Sequence, residues 1–211
     1  MLKVGIIIGS TRPNRVGEGV ARWVYQELQN RHDAEFELVD IKDFNLPLLD
    51  EPVPAGMSSD YTKDHTKKWS AKISTFDAYI FVSPEYNHGI AASLKNALDF
   101  LYKEWNNKAA GVVAYGGVGG TRVVEMLRIT LAELQLATIR TQMAFSLRTD
   151  FENFHTFKPA DYHKKTLKSF TDQLLLWGEA MRRIRSGEIT LEPENLRNPS
   201  QDFGEIQAHH H

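Results

Sequence analysis

Hydrophobic and polar positions along the chain change period several times, and each change marks an element. From Ala78 to Val82 apolar residues follow one another without alternation, rich in β-branched and aromatic side chains. Such a run reads as a strand buried on both faces, the usual state in a parallel sheet. Pro84 has no N–H to give a ladder, so the strand is expected to stop at about Ser83. From Ala92 the period becomes helical, with Leu94, Ala97, Leu98 and Leu101 on one face and Lys95, Asn96 and Asp99 on the others.

The same alternation runs through the chain. Lys3–Ile8 reads as a buried strand, followed by a polar loop and a helix with Val20, Val24 and Leu28 on its apolar side. Phe36–Val39 is a shorter strand, and 43–56, with Pro47, Pro52 and Pro54, cannot be regular. A helix is expected over 58–76 on Trp69, Ile73 and Phe76. A fourth strand follows at Gly111–Tyr115, and then a helix capped by Thr121 with Val124, Leu127, Leu131 and Leu134 inward. Thr138–Ala144 is the fifth strand. Leu167, Phe170, Leu174, Trp177, Met181 and Ile184 step by three and four, which predicts a long helix with these six turned inward. Five strands alternating with helices predict an α/β fold: a three-layer, doubly wound parallel sheet in the flavodoxin-like order 2-1-3-4-5. One domain is expected over 1–185, with 186–211 a polar C-terminal arm ending in a histidine-tag remnant.

Composition narrows the function. The 25 basic and 27 acidic residues leave a net charge of −2, so no overall field favours nucleic acid or an anionic membrane. The sequence has no cysteine, which excludes disulfides and thiolate metal sites and fits a reducing cytoplasm. His32, His65, His88, His155 and His163 are scattered without metal-ligand spacing, and no metal is expected.

In the predicted topology the loops after the first, third and fourth strands gather on one rim, where open α/β sheets bind ligands. The first, Gly9-Ser10-Thr11-Arg12-Pro13-Asn14-Arg15, offers hydroxyls, guanidinium groups and amides near a helix start. These parts suit a phosphate, or they make an ordinary turn with solvated arginines. The loop lacks the Gly-Lys-Ser/Thr of a P-loop, and Arg22 stands where a dinucleotide fingerprint needs its third glycine. The third-strand loop holds Ser83, Pro84, Glu85, Tyr86, Asn87, His88 and Gly89, in which Glu85 and His88 form a conceivable acid–base pair. No serine or cysteine nucleophile with a nearby base is evident, and the acidic pocket of a phosphoreceiver is absent. The last loop, Tyr115-Gly116-Gly117-Val118-Gly119-Gly120, permits positive φ and close approach to a flat ligand, or it is a flexible turn. The aromatic stretch Phe151–Phe157 is too long for a plain connection and reads as packing, a wall of the site or a subunit contact.

Together the three loops, with Leu94-Lys95-Asn96-Ala97-Leu98-Asp99, resemble the NADPH-dependent FMN reductase family, which includes quinone, azo-dye and chromate reductases. The resemblance runs from about Lys3 to Ala144. It implies that Ser10, Arg12 and Arg15 hold the FMN phosphate, and that Pro84, Glu85, Tyr86 and Asn87 lie along the flavin ring with His88 adjacent. It also implies that Gly116, Gly117 and Val118 close over the ring's other edge. FMN and NADPH are the implied cofactors, and a small electron-poor molecule is the acceptor. The implied assembly is a homodimer or tetramer, with no nucleic-acid or membrane partner. No residue is assigned as an obligate acid, base or nucleophile, because flavin carries the redox chemistry. The alternatives are a flavodoxin-like electron carrier without its own substrate, which a net charge of only −2 disfavours, and a flavin-free partner-binding module.

Overall fold

A computed structural model describes residues 1–190. Its elements are β1 (Leu2–Ile8), α1 (Gly17–Leu28), β2 (Ala34–Asp40), α2 (Asp64–Ser74), β3 (Ala78–Tyr86), β4 (Gly89–Ile90) and α3 (Ala92–Asp99). They continue with β5 (Lys108–Gly116), α4 (Thr121–Glu133), β6 (Leu136–Thr138), β7 (Met143–Ser146), β8 (Phe151–Glu152), β9 (Thr156–Phe157) and α5 (Tyr162–Arg185). The main sheet has the order β2-β1-β3-β5-β6, with β7 also on β5, and these pairings are all parallel. This is the expected doubly wound α/β fold.

Alternation along β3 divides the core. Tyr79 and Phe81 pack with Trp69, Leu94, Leu98 and Leu127 of α2, α3 and α4. Ala78, Ile80 and Val82 pack with Val20, Val24, Leu167, Phe170 and Leu174 of α1 and α5. Both strand faces are therefore apolar, as burial between two helical layers requires.

Several boundaries differ from expectation. β3 continues through Pro84 to Tyr86. The Val82 carbonyl accepts from Gly9 N–H at 2.9 Å, on the β1 side. Two residues on, Pro84 presents its N-substituted nitrogen to that same side, where β1 pairing has already ended at Ile8↔Val82. No ladder bond is lost. The expected fifth strand is two pieces: from Ala110↔Thr138 to Val113↔Met143, β5 advances three residues while its neighbour advances five. Arg128 donates to the Ile139 and Arg140 carbonyls (2.9 and 2.8 Å), and Gln173 Oε1 accepts from the Thr141 N–H (3.4 Å), so side chains of α4 and α5 satisfy the looped-out backbone.

Helix α2 starts at Asp64 instead of 58. Glu51, from the proline-rich connection, accepts from the N–H groups of Thr62 and Lys63, each at 2.9 Å, and fixes the entry. Desolvation opposes its charge, yet these bonds hold its carboxyl down at about 2. The residue capping α4 is Gly120, at φ +71°, and Thr121 is the first helical residue. α3 ends at Asp99, so Leu101 is buried from the following turn. On α5 Leu167, Phe170 and Leu174 face inward, but Trp177 and Ile184 are exposed, and Gly178 lies against Leu2 and Ala78 in their place. From 191 onward the predicted arm lies outside the described residues.

At the N-terminal end of the sheet, away from the loop rim, Lys108 is buried and donates to Tyr79 Oη (2.9 Å) and to the Ile73 carbonyl (3.3 Å). Burial, reinforced by Arg185, pushes its ammonium from 10.5 down to about 8. The cost of burying the charge is present in full below pH 8 and falls as pH rises toward the unfolded value, because there the unfolded chain binds the extra proton. Stability is expected to rise by about 2 kcal/mol between pH 8 and about 9.5, at 1.36 kcal/mol per unit. Urea unfolding across that range measures it, and Lys108→Met should flatten the rise.

Candidate functional site

The parallel order brings the loops after β1, β3 and β5 to one rim, and their side chains interlock. Ser10 is buried, and its Oγ lies 3.2 Å from Tyr86 Oη, joining the first loop to the end of β3. Ser93, on the first turn of α3, donates to the Gly9 carbonyl at 2.8 Å. The first loop is longer than expected: α1 begins only at Gly17, so Arg12 precedes the helix start by more than a turn. Among the described residues, the N–H groups of Thr11, Asn14 and Val16 have no protein partner. Amides left free in this way are donors that an anion could accept from.

The two arginines of this loop differ. The Arg15 side chain is only 8% exposed, ion-paired with Asp40 and donating to the Ser10 carbonyl at 2.8 Å. It is committed to the shape of the loop. Arg12 has no ion-pair partner among the described residues, and its guanidinium carbon sits 6.0 Å from the centre of the Tyr86 ring.

The Glu85 side chain is only 5% exposed, and both its oxygens are engaged by one residue. The Arg122 N–H donates to Oε2 at 3.1 Å, and the Arg122 guanidinium pairs with Oε1. The same guanidinium donates to His88 Nε2 at 2.7 Å; since arginine has only donors, Nε2 is the accepting nitrogen. Arg122 thus stands between Glu85 and His88, and the two make no direct acid–base pair. Asn87 (φ +48°) and His88 (φ +69°) form the two-residue turn between β3 and β4, pointing into solvent.

A cleft opens between these loops. Arg12, Arg15, Val16, Pro84, Glu85, Tyr86, Tyr115, Gly116, Leu147 and Phe154 line it. Burial pushes the Tyr115 phenol well up, so it is neutral. Of the expected residues, Arg12, Arg15, Pro84, Glu85, Tyr86 and Gly116 meet in this cleft, with Ser10 bonded to its wall. Asn87, His88, Gly117 and Val118, next to these in sequence, are not among the residues that line it. Positive φ falls at Gly119 and Gly120, while Gly117 has ordinary φ and open space where a Cβ would stand.

Sequence reasoning missed Arg122 and Asp40, whose partners lie 37 and 25 residues away and leave no local pattern. The stretch Phe151–Phe157 is both packing and wall. Its two strands pair as a hairpin, Phe157 packs edge-on to Trp23 and Phe145, and Phe154 reaches the cleft.

The model of the NADPH-dependent FMN reductase family matches residues 2–150. An NAD(P)H-dependent FMN reductase of Nectria sp. is 42% identical over 158 residues, 71% of this chain and 79% of that relative. A quinone reductase of Pseudomonas putida is 28% identical over 190 residues, 86% of this chain and 97% of the relative. In fold, the flavoenzyme NAD(P)H:(acceptor) oxidoreductase FerB of Paracoccus denitrificans superposes with a TM-score of 0.67 at 20% identity, covering 86% of this chain and 99% of that one. The match spans both the sheet and all three loops that build the cleft, and the chain belongs to the NADPH-dependent FMN reductase family.

Proposed function

We propose that this chain is an FMN-dependent oxidoreductase that takes hydride from NAD(P)H and reduces FMN, quinones or other electron-poor acceptors. The observation that carries the reading is the first loop, where the amides of Thr11, Asn14 and Val16, unpartnered among the described residues, share a loop with Arg12, which has no counter-ion among them. That donor set suits a phosphate monoester. Pro84 and Tyr86 line the cleft and the described residues leave open space beside Gly117, so the residues present fit FMN.

In this reading Ser10 and Arg12 hold the phosphate, and Arg15 shapes the loop through Asp40. Pro84, Glu85, Tyr86 and Asn87 border the ring on one side, with His88 adjacent, and Gly116, Gly117 and Val118 border it on the other. FMN bound there supplies the two-electron chemistry, with hydride from the nicotinamide and a proton from solvent ending on the acceptor. Arg122 ties the end of β3 to the start of α4 through Glu85, so the two ring-bordering loops keep a fixed separation.

The electron-carrier reading is not favoured, because the named relatives are reductases. We further propose a homodimer, supported by exposed Met126 and Ile129 on α4, beside the site. No described helix is long and apolar enough to cross a membrane. The cytoplasm, where NAD(P)H is at hand, is the compartment we assign. Purified protein supplied with FMN and a quinone should oxidise NAD(P)H catalytically; almost no oxidation would indicate a carrier.

A further inference from the structure

We propose that Phe154 forms a stacking subsite for a planar aromatic acceptor of the quinone class, at the mouth of the cleft. The inference rests on the reductase reading and names the part of that site which selects the acceptor. Phe154 lies beyond the 2–150 stretch that the family model matches, so the resemblance gives it no role.

The first observation is backbone conformation. Asn153 (φ +52°) and Phe154 (φ +59°) are the central residues of a β-turn within the three-residue loop of the β8–β9 hairpin, closed by His155 N–H to the Glu152 carbonyl at 3.0 Å. With both central residues left-handed, this is the turn in which Asn-Gly is preferred, and a bulky residue at its second position is strained. The second is exposure. Phe154 is 66% exposed, so the core returns nothing for the strain. A local rule broken without a packing gain points to function.

The hairpin base is firmly held. Phe157 packs on Trp23 (5.8 Å) and Phe145 (4.8 Å), and Lys158 N–H donates to the Asp150 carbonyl (2.8 Å). The buried Asp150 carboxylate accepts from Ser146 N–H and pairs with His163, each at 2.9 Å. The Phe154 ring is therefore presented at a fixed place, lining the same cleft as Tyr86, Pro84 and Leu147. An acceptor such as a quinone brings no phosphate to the first loop. Its affinity has to come from contact with its ring, and an exposed aromatic face supplies that contact.

Phe154→Gly tests this without endangering the fold, since it removes the ring and gives the turn its favoured residue. With FMN-loaded protein and saturating NADPH, KM for menadione should rise about 10-fold, the scale of one aromatic pair. Binding of 2-naphthol, a planar ring that is not reduced, should weaken equally by equilibrium dialysis. Reduction of ferricyanide, which is not planar, should fall several-fold less than reduction of menadione, and Phe154→Tyr should restore menadione. An unchanged menadione KM, or an equal loss with ferricyanide, would overturn the subsite while leaving the reductase reading intact. Failure of the parent protein to bind FMN or oxidise NADPH would overturn the reductase reading itself.

Discussion

Arg12→Ala is expected to weaken FMN roughly 10- to 150-fold while leaving riboflavin binding nearly unchanged. Riboflavin has the same ring and no phosphate, so the comparison isolates the anion grip. Arg12 has no ion-pair partner among the described residues, whereas Arg15 is neutralised by Asp40, so the burden of a phosphate charge falls on Arg12. A charge-assisted hydrogen bond contributes about 1.5–3 kcal/mol, which sets the range. Fluorescence titration of the apoprotein with both flavins measures it, and added salt should weaken FMN more than riboflavin. Equal losses for the two ligands would mean that Arg12 supports the shape of the loop instead.

Two glycines of one loop should separate a role in the site from a role in the fold. At Gly120 a Cβ would stand 2.8 Å from both Ala114 Cβ and Tyr115 N, and φ is +71°. Gly120→Val is expected to destabilise the protein by about 2–5 kcal/mol, combining left-handed strain with overpacking. At Gly117 a Cβ would meet nothing within 4 Å among the described residues, and φ is ordinary. Gly117→Val should leave stability within about 0.5 kcal/mol, yet weaken FMN by roughly tenfold or more by filling space reserved for the ring. Urea unfolding of the apoproteins and flavin titration give both quantities. A stable Gly117→Val protein with normal FMN affinity would remove this loop from the site.

The fold was legible where burial is two-sided and continuous. Val4–Ile8, Ala78–Val82 and the apolar stretch around Val112 are uninterrupted because each strand lies between two helical layers. The convergence of three loops followed from strand order alone. Features fixed by contacts distant in sequence were not legible. The break between β6 and β7 depends on Arg128 and Gln173 reaching in from helices, and the start of α2 depends on Glu51. The outward turn of Trp177 follows from Gly178 allowing α5 to approach Leu2 and Ala78, a steric condition that apolar periodicity does not carry. In the site, residue types were readable but their division of labour was not. Nothing in Arg12-Pro13-Asn14-Arg15 says which arginine meets Asp40, and nothing local links Glu85 to Arg122. The turn at Asn153-Phe154 had a signal, an Asn followed by a residue other than glycine between aromatic positions, but only the hairpin gives it meaning.

Binding of FMN in this cleft for reduction by NAD(P)H is tested by the visible spectrum of the protein mixed with FMN, desalted, and then titrated with NADPH without oxygen. A flavin band is expected to survive desalting at one flavin per chain and to bleach as NADPH is added. A colourless desalted protein, or a retained band that NADPH leaves unchanged, would contradict it.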